Sequence, residues 1–454
     1  MAQENPSKFS LWKERLLYTG AAPDDRGRMV AVLNNVILHL HPTTLPASAL
    51  RFTYTWGLGG VSAVLAVMLA ATGMLLMFRY DASVERAYMS IQMIESEVAF
   101  GSLVRAIHHW SANLLVITTF LHLARVFFTG GYKKGRTVNW VVGMALLVIV
   151  LAFNFTGYLL PWDQLAYWAI TVSTTLLDYI PVIGATVSRF VLGGPEVGQG
   201  ALRNFYAIHV AVLPLLLALT MAYHFWKIRK NGGLSQPEVE SRPERVTTIP
   251  NLVQRELAVA LAVVVAILIF STFVPAPLGG LANPARSPNP AKAAWYFLGL
   301  QELLLHMHSL AAILLVGLGL VVLTLMPGLD RREEDIGVYF RSGAGKRAAL
   351  LGAFLSLDLT PLLVIADEYW IDLPNALPGL PATISNGLLP LGLTLLGLAG
   401  IYTLLRLLVK HQGARANHSE ALVGMFTFVM VSLILLTAVG VYFRGENMVL
   451  ELPF

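Results

Sequence analysis

The fold class the sequence predicts is an all-α membrane protein, a transmembrane helix bundle of about nine spans, and three observations carry that prediction. Hydrophobic residues make up 56% of the 454 and charged residues 13%, about half the charged share of a soluble domain, which is near 25%. The mean hydropathy is +0.64. The apolar residues gather into stretches that reach a bilayer's width, for which about 20 residues at about 1.5 Å each are needed. They cover 52–78, 104–128, 138–158, 206–227, 256–275, 303–326, 348–366, 386–409 and 420–443.

Basic residues orient these spans, because Lys and Arg concentrate in the loops that stay in the cytoplasm. The segment before the first span holds Lys8, Lys13, Arg15, Arg26 and Arg28. Every second connection after it is also basic: Lys133, Lys134 and Arg136; Lys227, Arg229, Lys230, Arg242 and Arg245; Arg331, Arg332, Arg341, Lys346 and Arg347; Lys410 and Arg415. Among the alternate loops, 79–103 has Arg79 and Arg86 among four acids, and 367–385 has no base. The alternation requires 348–366 to span although it contains Asp358. It places the N-terminus inside and the C-terminus outside.

Residues 1–51 are expected to form an amphipathic arm on the inner surface, without the apolar run and small-residue cleavage site of a signal peptide. Four spans over 52–230 form a first bundle, and a polar linker at 231–255 leads to a second group over 256–366 and further spans over 367–454. Two outer connections are long. Segment 159–205 has Pro161, Pro181 and Pro195 around an apolar run and is expected to fold as short surface helices. Segment 276–302 is proline-rich and ends in a helix. Long ordered loops on one face of a rigid bundle are where a substrate site is expected.

Cysteine is absent, which excludes disulfides, Cys-ligated iron–sulfur clusters, Cys-ligated zinc and thioether-attached haem. Metal chemistry must run through histidine or carboxylate. The pI near 9.3 comes from bases clustered between apolar runs, where they orient helices, so nucleic acid is not an expected partner.

Four histidines carry the functional signal. His108 and His122 in the second span are 14 residues apart, and His209 and His224 in the fourth are 15 apart. At about 100° per residue these intervals return to within about 40° and about 60° of the starting direction, so each pair shares a helix face. The axial separation of roughly 21 to 23 Å puts one histidine of each pair in each leaflet. Both helices descend from outside to inside, so His108 meets His209 near the outer surface and His122 meets His224 near the inner one. A single histidine would read as a hydrogen-bonded helix-end residue. Four ionisable groups at bilayer depth, matched in spacing, read instead as two stacked bis-imidazole sites, which is what two non-covalent b-type haems need.

Glycine repeats the interval. Gly59 and Gly73 in the first span, and Gly143 and Gly157 in the third, are each 14 apart. Such pairs are common in plain helix packing, but in register with the histidines they open two gaps for a flat macrocycle. Arg105 and Arg125, near the ends of the second span, are placed either to pair with haem propionates or to snorkel to the interface. His109 points about 100° from its neighbour and is structural or propionate-binding.

The strings RAIHHWSANLLVITTFLHLARVFFTGGYKK at 105–134, GYLLPWDQLAYWAITV at 157–172, DYIPVIG at 178–184 and NFYAIHVAVLPLLLALTMAYHFWKIRK at 204–230 resemble the cytochrome b/b6 family of the bc1 and b6f quinol oxidoreductases. The likeness is strong from about 30 to 300 and fades afterwards. PWDQ and the 15-residue interval look more like the b6 branch, here continued into a segment similar to subunit IV over 256–366. The resemblance implies a multi-pass protein of a prokaryotic inner membrane, surrounded by lipid. It also implies a complex with a Rieske iron–sulfur protein and a c-type cytochrome, working as a homodimer on quinol and quinone. Quinol would be oxidised at the outer side near Pro161, Trp162, Trp295 and Tyr296, and quinone reduced at an inner site near Arg229 and Lys230, coupled to proton translocation.

One departure bears on catalysis. The family's quinol-site motif is Pro-Glu-Trp-Tyr, and this chain reads Ala293, Ala294, Trp295, Tyr296. The proton acceptor must then come from elsewhere, with Glu302 first, Asp163 second and Tyr296 beside the site. Glu302 reads equally as a helix-start carboxylate favoured by the helix dipole. The other functions weighed are a dihaem anchor passing electrons between a dehydrogenase or reductase and the quinone pool without bifurcation, and a transporter without redox chemistry. A Rieske partner separates the first from the expected function, and a redox difference spectrum separates the second.

Overall fold

The computed structural model describes residues 24–35, 38–234, 244–332 and 336–451. Most of the bases counted in the N-terminal arm, and residues 235–243 of the 231–255 linker, lie outside them. The bundle is built from long helices because a chain in lipid must satisfy its own backbone hydrogen bonds. The spans are α2 Leu58–Met77, α4 Gly101–Phe128, α5 Thr137–Leu159, α8 Gln199–Lys230, α9 Thr248–Phe273, α12 Gly343–Tyr369, α13 Ile384–Leu408 and α14 His418–Tyr442. Among the described residues, these eight are long and apolar enough to cross a membrane. The two ends of the bundle are called outer and inner as the basic residues assign them.

The stretch expected at 303–326 is broken. Helix α10, Trp295–His306, stops where Met307 becomes extended, and α11, Ser309–Thr324, restarts with the His308 side chain accepting from the Leu310 amide at 3.3 Å. Helix α11 is therefore about 24 Å long at 1.5 Å per residue. The start of the first stretch is also set apart, because Trp56 and Gly57 take left-handed φ values of 53° and 63° between a single turn at Phe52–Thr55 and α2.

Shorter helices lie at the ends. The inner arm contributes α1, Asp25–Asn34, and a strand β1, Thr44–Pro46, that pairs antiparallel with β2, Arg245–Thr247, just before α9. At the outer end, α3 Ala87–Ser96 precedes α4, and segment 159–205 folds as α6 Gln164–Thr175, a 3-10 turn, and α7 Gly184–Leu192 before α8 begins. A small hairpin of β3, Lys410–His411, and β4, Ala414–Arg415, joins α13 to α14.

Two contacts bind the first bundle to the C-terminal helices. Phe127 of α4 stacks on Phe426 of α14 at 3.9 Å between ring centroids, and Trp140 of α5 donates to the Leu323 carbonyl of α11 at 2.7 Å. Asp330 is buried between them at the inner end, accepting from Tyr132 at 2.6 Å and paired with Lys133 at 2.9 Å. Helices α12 and α14 bring their backbones together at two glycines: a Cβ on Gly352 would stand 2.3 Å from the Gly424 carbonyl oxygen.

Helix α8 contains one turn that is not α-helical. Ile208–Val212 form a π turn around His209. Pro214 follows it, and a proline ring clashes with the carbonyl four residues earlier, here that of Val210. The wider turn accommodates the proline and takes up one extra residue. The 15-residue interval on α8 therefore matches the 14-residue interval on α4.

Candidate cofactor centres

Four helices place the histidines in two facing pairs. The His108 and His209 rings have centroids 6.4 Å apart, and those of His122 and His224 are 6.5 Å apart. Each gap has room for one metal atom taking a nitrogen from each ring, with bonds of about 2 Å as for other metal–imidazole contacts. Two imidazoles supply only two ligands, so a metal held there must bring the rest with it, as haem iron does.

Each ring faces one of the four glycines. An ideal Cβ would meet His122 at 3.2 Å from Gly59, His108 at 3.2 Å from Gly73, His224 at 3.8 Å from Gly143 and His209 at 2.6 Å from Gly157. Helices α2 and α5 thus pass the histidine rings with no side chain between. The gaps fit a pair of flat groups stacked along the bundle.

Two threonines beside these glycines were missed in the sequence. Thr72 Oγ1 lies 2.7 Å from the Met68 carbonyl and 2.9 Å from His108 Nδ1, while Thr156 Oγ1 lies 2.8 Å from the Ala152 carbonyl and 3.1 Å from His209 Nδ1. Each hydroxyl gives its hydrogen to the carbonyl, so its oxygen accepts from Nδ1–H and leaves Nε2 as the free ligand nitrogen. The signal was the repeated Thr-Gly at 72–73 and 156–157; the inner-level glycines follow Leu58 and Val142 instead.

The two arginines do not snorkel; both are 7% exposed. Arg105 pairs with Glu95 and donates to the carbonyls of Ala276 and Pro277, at 2.9 and 2.6 Å, holding the 276–294 loop. Arg125 lies 4.7 Å over the Tyr54 ring and donates from Nε to the Tyr54 carbonyl at 3.1 Å. One of its terminal nitrogens is buried with no acceptor, as a donor awaiting an anionic group would be. His109 packs edge-on against Trp110 at 4.8 Å.

A cavity of about 180 Å³ opens at the outer level between α5, α6, the 291–293 segment and α10, with Phe155, Ser173, Ala293, Phe297 and Gln301 among its walls. Gln301 holds that wall in shape, accepting from the Ala293 amide and donating to the Ala291 carbonyl, both at 2.7 Å. Pro161, Trp162, Trp295 and Tyr296, expected at a quinol site, are not among the residues that line this cavity. Pro161 precedes Trp162, which is buried against Tyr167. Trp295 donates to Asn113 at 2.6 Å and Tyr296 to the Asn154 carbonyl at 3.3 Å. Asp163 caps α6 through the Ala166 amide at 2.9 Å and takes the Gly279 amide at 3.0 Å, so both its oxygens bind backbone.

Glu302 is fully buried on the face of α10 turned toward α14. Arg444, just beyond α14, forks onto both of its oxygens, at 3.0 and 3.1 Å from Nε. At the inner end, Arg229 donates to the His39 carbonyl of the arm and Lys230 lies 5.7 Å over the Trp226 ring. Neither the outer cavity of about 180 Å³ nor a cleft beside His306 is lined by this pair.

The fold and site define a class: a multi-pass membrane protein with two levels of paired histidines. A family model for cytochrome b/b6/petB matches residues 44–232. The chain is 46% identical over 175 residues to cytochrome b6 of Acaryochloris marina, covering 38% of this chain and 81% of that protein, and 45% identical over the same length to cytochrome b6 of Pyropia yezoensis. It therefore belongs to the cytochrome b/b6 family, which carries b-type haem. A solved chain titled "Hyperthermophilic respiratory Complex III" shares the fold with a TM-score of 0.60 at 21% identity, over 85% of this chain and 91% of that one.

Proposed function

We propose that this chain is the dihaem cytochrome b subunit of a quinol oxidoreductase complex, oxidising quinol at the outer side and returning electrons to a quinone at the inner side. The observation that carries the reading is the set of four ring-to-glycine contacts, one for each histidine, at two depths. Bound at these levels, two b-type haems would supply one-electron carriers on the path across the membrane. His108 and His209 would hold the outer one, with Thr72 and Thr156 fixing their ring orientation, and His122 and His224 the inner one, with Arg125 offering its free donor to a propionate.

Quinol is assigned to the cavity beside Phe155 because that residue directly precedes Thr156 and Gly157 of the outer level. The apolar walls suit a quinone ring and exclude water. Gln301 keeps Ala293 in place, where a larger residue would narrow the cavity. For the protons, Glu302 is preferred over Asp163, since Glu302 is in contact with the titratable His306 at 3.2 Å whereas both Asp163 oxygens are held by backbone amides. The adjoining residue on α10, Gln301, lines the cavity. Arg229, Lys230 and the arm are assigned to the inner quinone.

The same reading gives the chain its partners: a Rieske protein over the 159–205 and 276–302 segments, a c-type cytochrome beyond it, and a second copy of the complex. It also divides the chain into a b6-like part over 52–230, a subunit IV-like part over 256–366 and additional spans over 367–454. Potentiometric titration of the purified complex tests the proposal. Two bis-histidine components of different midpoint potential, with quinol-dependent reduction and a co-purifying iron–sulfur signal, are expected. A single component would overturn it, and two components without the iron–sulfur partner would favour a non-bifurcating membrane anchor.

A further inference from the structure

The C-terminal helices build a polar string that reaches from a buried carboxylate to the outer surface. His306 Nε2 stands 3.2 Å from Glu302 Oε1, and its Nδ1 stands 2.7 Å from Asp367 Oδ2 at the end of α12. The side chains of Glu302, His306 and Asp367 are 0%, 12% and 37% exposed, so exposure rises along the string. At its far end a cleft of about 380 Å³ is lined by both His306 and Asp367. Imidazole is the side chain that can accept a proton on one nitrogen while releasing another from the opposite one.

We propose that Glu302, His306 and Asp367 form the path by which protons leave toward the outer aqueous phase. The proposal rests on the reading that quinol is oxidised at the outer side and that Glu302 receives its proton. His306 bridging two carboxylates, with its hydrogen on Nδ1, first takes the proton held on Glu302 at its free Nε2 and becomes imidazolium. The imidazolium then releases its Nδ1 hydrogen to Asp367 and thence to cleft water, and the neutral Nε2–H ring exchanges tautomers to return to its starting state. One proton enters and one leaves, with no change in electron count. The charged groups facing His306 are Glu302 on its own helix, Asp367 and Glu368 from α12, and Arg444 after α14, which binds Glu302 and also Glu368 at 2.8 Å. Asp372 and Tyr369 share the cleft wall. Arg444 keeps the Glu302 carboxylate fixed, so the string does not depend on a mobile side chain. All of these groups lie outside the part of the chain matched by the family model, residues 44–232.

The test uses the intact complex in lipid vesicles, with a short-chain quinol as donor, haem reduction read optically and proton release read by a dye in the outer medium. In His306→Gln and Asp367→Asn, which keep hydrogen-bonding capacity, haem spectra are expected to be unchanged, while proton-coupled quinol oxidation slows roughly a hundredfold or more, within the range of about 10²–10⁴ that proton-transfer groups supply. In His306→Ala, added imidazole, small enough for the cleft, is expected to restore a part of the rate that grows with its concentration. A merely structural histidine would not give that rescue. Asp372→Asn serves as the control on the cleft wall and is expected to keep the wild-type rate. Normal rates in both His306→Gln and Asp367→Asn, or no imidazole rescue with intact spectra, overturn the path. If Glu302→Gln is slow while His306→Gln is normal, the path fails and the quinol-oxidation reading stands. A wild-type complex inactive toward quinol removes both.

Discussion

Thr72 Oγ1 lies 2.9 Å from Nδ1 of His108, so a side chain on one helix sets the ring orientation of a ligand candidate on another. A hydrogen bond accepted from Nδ1–H makes the opposite nitrogen a stronger electron donor, and such partners affect metal affinity by about 10–100-fold. Thr72→Val is expected to weaken haem retention at the outer level and raise its midpoint potential. The inner component should be untouched. Haem content and redox titration of the variant check this; identical titrations in variant and wild type would contradict it.

The glycine contacts predict an asymmetry within α5. An alanine at 157 would put its Cβ 2.6 Å from the His209 ring, while at 143 it would stand 3.8 Å from His224, an ordinary contact. Gly157→Ala should therefore lose or distort the outer haem signal and Gly143→Ala should retain the inner one. Equal effects of the two substitutions on the spectra would argue against ring clearance as the role of these glycines.

The ligand assignment itself is separable by level. Replacing His122 or His224 with leucine is expected to remove the inner component's absorbance and leave the outer one largely intact. Two normal bis-histidine signals in either variant would disprove the pairing.

Glu302→Gln probes proton transfer and stability together. Breaking the fork leaves the buried Arg444 with Glu368 as its one charged partner at 2.8 Å, so a destabilisation below the about 3–5 kcal/mol typical of an unpaired buried charge is expected. If Glu302 also accepts the quinol proton, oxidation slows between pH 6 and 8 while inner-site reduction stays normal, with Asp163→Asn as the comparison. Reduced thermal stability with unchanged turnover would leave Glu302 a structural role only.

His41 links the arm to α9 through Glu256 at 3.1 Å. Burial alone would lower the His41 pKa, but the hydrogen bond to Glu256 and its charge outweigh that and raise it above the ordinary 6.5. A raised folded-state pKa means the contact stabilises fully below about pH 6.5 and is lost as pH rises through the folded value. Protection of the arm from protease is expected to fall as pH increases above neutrality, and His41→Phe should abolish the dependence. A flat pH profile in the wild type would refute the link.

The spans were legible because hydropathy and helix length are direct consequences of the bilayer. Eight of the nine expected stretches appear as long helices, and the bounds of α4, predicted at 104–128, moved by only three residues at the start. The ninth was interrupted because a break such as Met307–His308 is made by tertiary packing and side-chain capping, which leave little trace in apolar composition. The facing of His108 with His209 followed from spacing on two parallel helices. What spacing could not give was the partner of each ring. Thr72 and Thr156 read as ordinary small polar residues until their neighbours were known, although Pro214 did carry a local signal for the π turn. The contacts of Glu302 were hidden for another reason: Arg444 lies 142 residues away, and no periodicity connects them.

The π turn gives the fourth span a seam. A continuous α-helix transmits any change in length along its whole axis: one residue removed turns everything beyond it by about 100° and draws it in by about 1.5 Å. At Ile208–Val212 the extra residue is confined to one turn. Removing a residue there would close the seam to an ordinary turn and leave both imidazoles at their bearings, provided Pro214 were replaced as well. Removing one between Leu213 and His224 has no such outlet and would rotate the inner imidazole away from its partner. The tolerance of this helix to shortening is therefore local, concentrated in a few residues beside the outer histidine.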